Sequence, residues 1–134
     1  MSRLGALAIL SMLSFAALAR GLSTPHVVDE VYSAKEGAPP AVAMVLYVDR
    51  PWNEFTKFRD SLHEKLSAYA DFVASGELVQ TYPWAKGKPV RVIVMLLFPP
   101  TPEAIAYLDQ FKPEFRRRGI TMQWLIPQNV KKAL

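Results

Sequence analysis

Two long apolar runs constrain the fold of this chain more than any other feature. Residues 41–48 read Ala-Val-Ala-Met-Val-Leu-Tyr-Val, and residues 90–98 read Val-Arg-Val-Ile-Val-Met-Leu-Leu-Phe, with Arg91 the only charge in either. Runs this short, bounded by prolines or Asp49, suit strands buried on both faces. Each is followed by a proline-marked turn and a helical stripe. Beyond Pro51, Phe55, Phe58, Leu62, Leu66, Tyr69 and Val73 recur at three- and four-residue steps, while Lys57, Asp60, Glu64, Lys65 and Asp71 fall off that stripe. Gly76 is placed to end this helix. After the second run, Thr101-Pro102-Glu103 supplies an N-cap, a proline at the first helical position and an acid at the positive end of the helix. Ala104, Ile105, Leu108, Phe111 and Phe115 form its stripe, Pro113 predicts a kink or restart, and Gly119 closes it.

Two weaker segments complete the pattern. Residues 77–82 place Leu78, Val79 and Tyr82 among polar residues before Pro83, which reads as a short edge strand. Ile120, Met122, Trp124 and Ile126 alternate with Thr121, Gln123 and Leu125, which reads as a last strand ending at Pro127. The order is strand, helix, strand, strand, helix, strand, and residues 46–58 lie over residues 96–108 as strand, proline turn and apolar helix. Such a pseudo-repeat predicts an α+β, ferredoxin-like split βαβ sandwich (βαββαβ) over residues 41–127. Its four-stranded antiparallel sheet would carry two helices on one face and the two long runs at its centre.

The N-terminus carries an address. Arg3 precedes an apolar run over residues 4–19 that ends Ala17-Leu18-Ala19 before Arg20, and no acid appears before Asp29. A basic start, a short apolar core and small residues at the cleavage site describe a secretory signal, so residues 1–19 are expected to be cleaved and the chain exported, to a periplasmic or extracellular location. Sixteen residues fall short of the roughly 20 that cross a bilayer comfortably, so a retained anchor is the lesser reading. Removal leaves about 115 residues, enough for one domain with its own core. Residues 20–40, with Gly21, Pro25, Gly37, Pro39, Pro40 and a short apolar patch at Val27, Val28, Val31 and Tyr32, read as an arm or linker. Residues 128–134 form a basic tail.

Composition removes whole reaction classes. The chain has no cysteine, which excludes disulfides, thiol nucleophiles, thiolate metal sites and dithiol redox chemistry. The net charge is +4, spread in both signs along the chain, a weak signal for nucleic acid. RNA-binding versions of the predicted fold interleave aromatics and basics on the central strands, a pattern that Tyr47 and Phe98 do not make.

Two helices cover only one face of a four-stranded sheet. The other face is expected to be apolar whichever way the strands turn. It would consist of Ala41, Ala43, Val45, Tyr47 with Val90, Val92, Val94, Leu96, or of Val42, Met44, Leu46, Val48 with Ile93, Met95, Leu97. An open apolar face marks a partner or subunit surface. The competing reading folds the arm, residues 26–32, back across it.

Few side chains invite a chemical role. His63 lies toward the flank of the first helix, and the other histidine, His26, lies in the arm, too few companions for a metal. No catalytic residue, cofactor site or metal site is assigned. The candidate interface residues are Trp52, Tyr82 and Trp84, aromatics at turns, and Arg116, Arg117 and Arg118. The turn aromatics read equally as a lid over the end of the sheet. The arginines read first as a helix C-terminal charge complement and second as a weak contact for an anionic membrane surface.

Comparison with families of this architecture mostly excludes. The turn Asp49-Arg50-Pro51-Trp52 lacks the Cys-x-x-Cys of metal-transport chaperones and the glycine-rich phosphate loop of acylphosphatase-like enzymes. Residues 90–127 resemble the opening βαβ of exported thioredoxin-like proteins, without their cysteines. The reading that follows is a non-catalytic protein-interaction or assembly module of a cell-envelope complex, of the secretion or conjugation type. The alternatives are a dimeric αβ-barrel protein enclosing a small apolar ligand and a cysteine-free thioredoxin-like exported protein. The partner is a protein or a second copy met through the open sheet face.

Overall fold

The computed structural model describes residue 22, residues 28–34 and residues 41–127. The predicted signal over residues 1–19, most of the arm and the basic tail lie outside the described residues. Along the chain, β1 (Glu30–Ala34) and β2 (Ala41–Val48) are followed by a 3₁₀ turn (Trp52–Glu54) and α1 (Phe55–Ala74). Then come α2 (Glu77–Thr81), a 3₁₀ turn (Pro83–Ala85), β3 (Val90–Leu96), α3 (Pro102–Asp109), α4 (Phe111–Arg117) and β4 (Ile120–Leu125). No helix among the described residues is long and apolar enough to cross a membrane.

The fold is mixed α+β with an open four-stranded sheet in the order β1-β2-β3-β4. The two long apolar runs are its central pair, as predicted. The pairing differs from the expected antiparallel sheet, because only β1–β2 is antiparallel while β2–β3 and β3–β4 are both parallel. The cause lies at residues 77–82. Gly76, at φ +86°, ends α1, and the chain at once starts a new helical turn, with Tyr82 N–H donating to the Leu78 carbonyl at 2.8 Å. Leu78 is buried and Gln80 exposed, whereas a strand would have put Leu78, Gln80 and Tyr82 on one face. With no strand there, the edge of β3 is vacant, and the arm occupies the edge of β2. The crossover through α3 and α4 therefore sets β4 beside β3 and parallel to it.

Part of the segment read as an arm is thus the edge strand β1, in the register Glu30↔Val45, Tyr32↔Ala43 and Ala34↔Ala41. It extends the sheet instead of folding across its face. Parallel register also corrects the face assignment, since Val42↔Val90, Met44↔Val92, Leu46↔Val94 and Val48↔Leu96 are paired neighbours. Both proposed sets had mixed the two faces.

Among the described residues, helices pack on one face only. Val42, Met44, Leu46, Val48, Val92, Val94, Leu96, Ile120 and Met122 form a continuous core with Phe58, Leu62, Leu66 and Tyr69 of α1, Leu108 of α3 and Phe115 of α4. The punctuation read from sequence is in place. The Thr101 hydroxyl accepts from Ala104 N–H at 3.1 Å, and Pro113 lies in the first turn of the restarted α4. Gly119 reverses the chain into β4 at φ +78°.

Candidate functional site

The sheet face that no described helix covers, called helix-free below in that sense, forms three rows read across the strands. Tyr32, Ala43, Arg91 and Thr121 make one; Glu30, Val45, Ile93 and Gln123 the next; Tyr47, Met95 and Leu125 the third. Ala43, Val45 and Ile93 are the buried centre, with Tyr32, Tyr47 and Met95 packed against them, and all six belong to strands. Glu30, Arg91, Thr121 and Gln123 lie around this apolar patch. An apolar centre inside a polar margin is the anatomy of a protein interface.

A buried network fixes one side of this face. Lys65 follows Leu62 by three residues and precedes Tyr69 by four, which turns it into the core rather than off the stripe. Its Nζ lies 2.6 Å from Asp29 Oδ1, both side chains having no solvent exposure. Asp29 N–H donates to Tyr69 Oη at 2.7 Å, and the Tyr69 hydroxyl donates to the Val45 carbonyl at 2.5 Å. Asp29 Oδ2 accepts from Tyr47 N–H at 2.8 Å. The carboxylate thus stands in for a backbone partner just where the β1–β2 ladder ends, holding β1 to β2 and to α1 together. On the opposite face the Tyr47 hydroxyl donates to Glu30 Oε1 at 2.9 Å.

Burial pushes the Lys65 ammonium below its ordinary pKa, outweighing the attraction of Asp29. Burial, and then the Asp29 charge, hold the Tyr69 phenol well above its own. A buried ion pair keeps its charges only where further hydrogen bonds satisfy them, and Asp29 has those. With no exposed surface, Lys65 offers no nucleophile to a substrate. Its work is structural.

The residues singled out from sequence do not converge. Trp52, 4% exposed, sits in the core with ring centroids 5.6 Å from Phe55 and 5.3 Å from Phe58, so it anchors the start of α1. Tyr82 and Trp84 pack edge to face at 5.9 Å before β3, at the opposite end of the sheet, and the Lys88 ammonium lies 5.5 Å from the Trp84 ring. Arg116, Arg117 and Arg118 are exposed at the close of α4. Arg118 bonds Asp71 at 3.1 Å, tying the end of α4 to α1, and Arg117 lies 4.0 Å from Glu114. His63 is exposed, its ring 5.6 Å from that of Phe111. It lines an open groove of about 480 Å³ with Arg59, Asp60, Glu103 and Tyr107. Among the described residues no three His, Asp or Glu side chains are grouped to hold a metal ion.

Sequence reading missed Asp29 and Lys65. The spacing 58-62-65-69 was the signal for Lys65. Asp29 had none, since it precedes a strand that the sequence did not announce.

A family model described as a family of unknown function (DUF6572) matches residues 22–128, and the chain belongs to that family. No curated protein and no solved structure matches it.

Proposed function

We propose that the chain is an exported, non-catalytic interaction module that assembles onto a cell-envelope complex of the secretion or conjugation kind, presenting its helix-free sheet face to a protein partner. The observation that carries this reading is the apolar patch of Ala43, Val45 and Ile93, with Tyr32, Tyr47 and Met95 around it and no described helix over it. A face of this composition belongs against another surface. The signal-like layout of residues 1–19 supports the export half of the reading. Arg116 and Arg117 add a weak attraction to an anionic membrane surface.

The same patch also suits a second copy, since two such faces stacked across a twofold axis would bury their rows against each other. Of the ferredoxin-like plan, the reading retains the central parallel pair with helices on one side. Light scattering on the exported chain across dilution separates the two occupants: a stable dimer favours the second copy, and a monomer favours a different protein. Met95→Glu, on the half-buried margin of the patch, is expected to release the chain from envelope fractions, while Thr56→Glu on α1 is expected to leave it bound. Retention of the Met95 variant at wild-type levels would refute the docking role of this face.

A further inference from the structure

The helical layer has a groove of its own, on the side of the sheet away from the docking face. It runs between α1 and α3, holds about 480 Å³ and is lined by Phe55, Arg59, Asp60, His63, Glu103 and Tyr107. That volume falls in the range of small-molecule sites. The walls follow from helical spacing, since Phe55, Arg59 and His63 recur every fourth residue on α1, as Glu103 and Tyr107 do on α3. Aromatic rings form a ladder along it. Phe55 and Tyr107 meet at 4.9 Å, Tyr107 and Phe111 at 5.3 Å, and Phe111 and His63 at 5.6 Å.

The charge of this groove runs against that of the chain. The whole sequence carries +4, whereas here Asp60 and Glu103, with Glu114 where the groove continues past Gln110, face Arg59. Asp60 and Glu103 are exposed and have no ion-pair partner among the described residues. The Tyr107 hydroxyl is an independent signal. Its oxygen is buried and has no hydrogen-bond partner, and burial holds the phenol above its ordinary pKa. A donor and two lone pairs are thus left unused, which is uncommon for a buried hydroxyl. Arg59 and Asp60 act on this group electrostatically in opposite senses, which puts it at the α1 wall of the groove.

We propose that this groove binds a small aliphatic amine as its ammonium ion. The Asp60 and Glu103 carboxylates neutralise the cation, while the ring ladder takes the alkyl chain and offers aromatic faces to the charge. The Tyr107 hydroxyl accepts a hydrogen bond from the ammonium group and donates its own proton to Asp60, so both of its unused capacities are filled. Arg59 and Asp60 are exposed, and rotamer changes open the path between them. An anion would meet Asp60, Glu103 and Glu114 against Arg59, and an uncharged ligand would leave the carboxylates unanswered. The site is separate from the docking face, and neither reading rests on the other.

His63 is a built-in reporter, because His26 is the only other histidine in the sequence. The full chain is titrated with 1,4-diaminobutane and followed by NMR at the His63 ring and at the amide of Ala106, which also lines the groove. Saturable shifts are expected at both, with half-saturation at roughly 1 mM, the range open to a ligand of so few atoms. Asp60→Asn and Glu103→Gln are each expected to weaken binding about tenfold, and Tyr107→Phe about fivefold. Glu77→Gln, the same loss of charge on α2, is expected to leave binding within about twofold of wild type. Neither 1-butanol nor inorganic phosphate is expected to give a saturable shift. A response still linear at roughly 50 mM amine, equal shifts with 1-butanol, tighter binding of phosphate, or Glu77→Gln weakening binding as much as the groove variants would each overturn the proposal. Asp60, Glu103 and Glu77 are exposed, so their variants keep the fold, and matching melting curves show that a lost shift is lost binding.

Discussion

Asp29 and Lys65 are the residues on which the placement of β1 depends, and removing one leaves the other charged and buried. Asp29→Ala is expected to cost about 3–5 kcal/mol in denaturant unfolding, because the ammonium loses its counter-charge and Tyr47 N–H loses its acceptor. In the Asp29→Asn background, Lys65→Met should cost far less than it does alone. Additive costs in that double-mutant cycle would show the pair to be uncoupled. Tyr69 supplies a pH test. Its phenol is held well above its ordinary value of 10.0 in the folded chain, so the folded state keeps a proton that the unfolded state releases. The stabilisation is complete below pH 10 and is lost as pH rises beyond it. Melting curves between pH 8 and 11 should show wild type losing stability relative to Tyr69→Phe at the alkaline end, and parallel curves would contradict the assignment. Lys65 shows why residue-scale reading stopped short. Charge alone placed it outside the stripe, while the spacing to Leu62 and Tyr69 placed it inside, and a buried lysine is intelligible only once its carboxylate partner is known.

At the scale of elements, the boundaries set by covalent and capping chemistry were legible and those set by pairing were not. Thr101, Pro102, Gly76 and Gly119 act locally, and each does what its position implied. Thr101→Ala is expected to cost about 1 kcal/mol by removing the acceptor for Ala104 N–H, with Thr101→Ser recovering most of it. Gly76→Ala should cost about 1–2 kcal/mol from the left-handed backbone alone, since a Cβ there meets nothing within 4 Å. Unfolding midpoints unchanged by either substitution would contradict the cap or the turn. Residues 77–82 misled because Leu78 and Tyr82 share a face in a strand and in a helix alike, and only the exposure of Gln80 decides between them. β1 was hidden for a related reason. Val31 and Tyr32 face opposite sides of the sheet, and the proline-rich connection to β2 resembles a linker when its hairpin partner is unknown.

For the whole molecule, one misplaced edge strand changed the topology without changing the core. The central pair, the single helical layer and an apolar face beyond it all followed from the two long runs, and they survive in the mixed parallel sheet. Which side chains make up that face did not follow, because row membership depends on register, and a slip of one residue moves every side chain to the other face. Met95→Glu should leave unfolding within about 1 kcal/mol of wild type, since the side chain is only half buried, while abolishing docking. The most direct measurement is site-specific photocrosslinking in cells that export the chain. A benzophenone probe is attached at Met95→Cys or Tyr32→Cys on the face, and at Thr56→Cys or Arg116→Cys on the helical side. The same discrete adduct from both face positions, lost when Ile93→Asp is added and absent from the helical positions, is the predicted result. No adduct from the face, or an equal yield from the helical side, would contradict the assignment of this sheet face as the surface by which the protein acts.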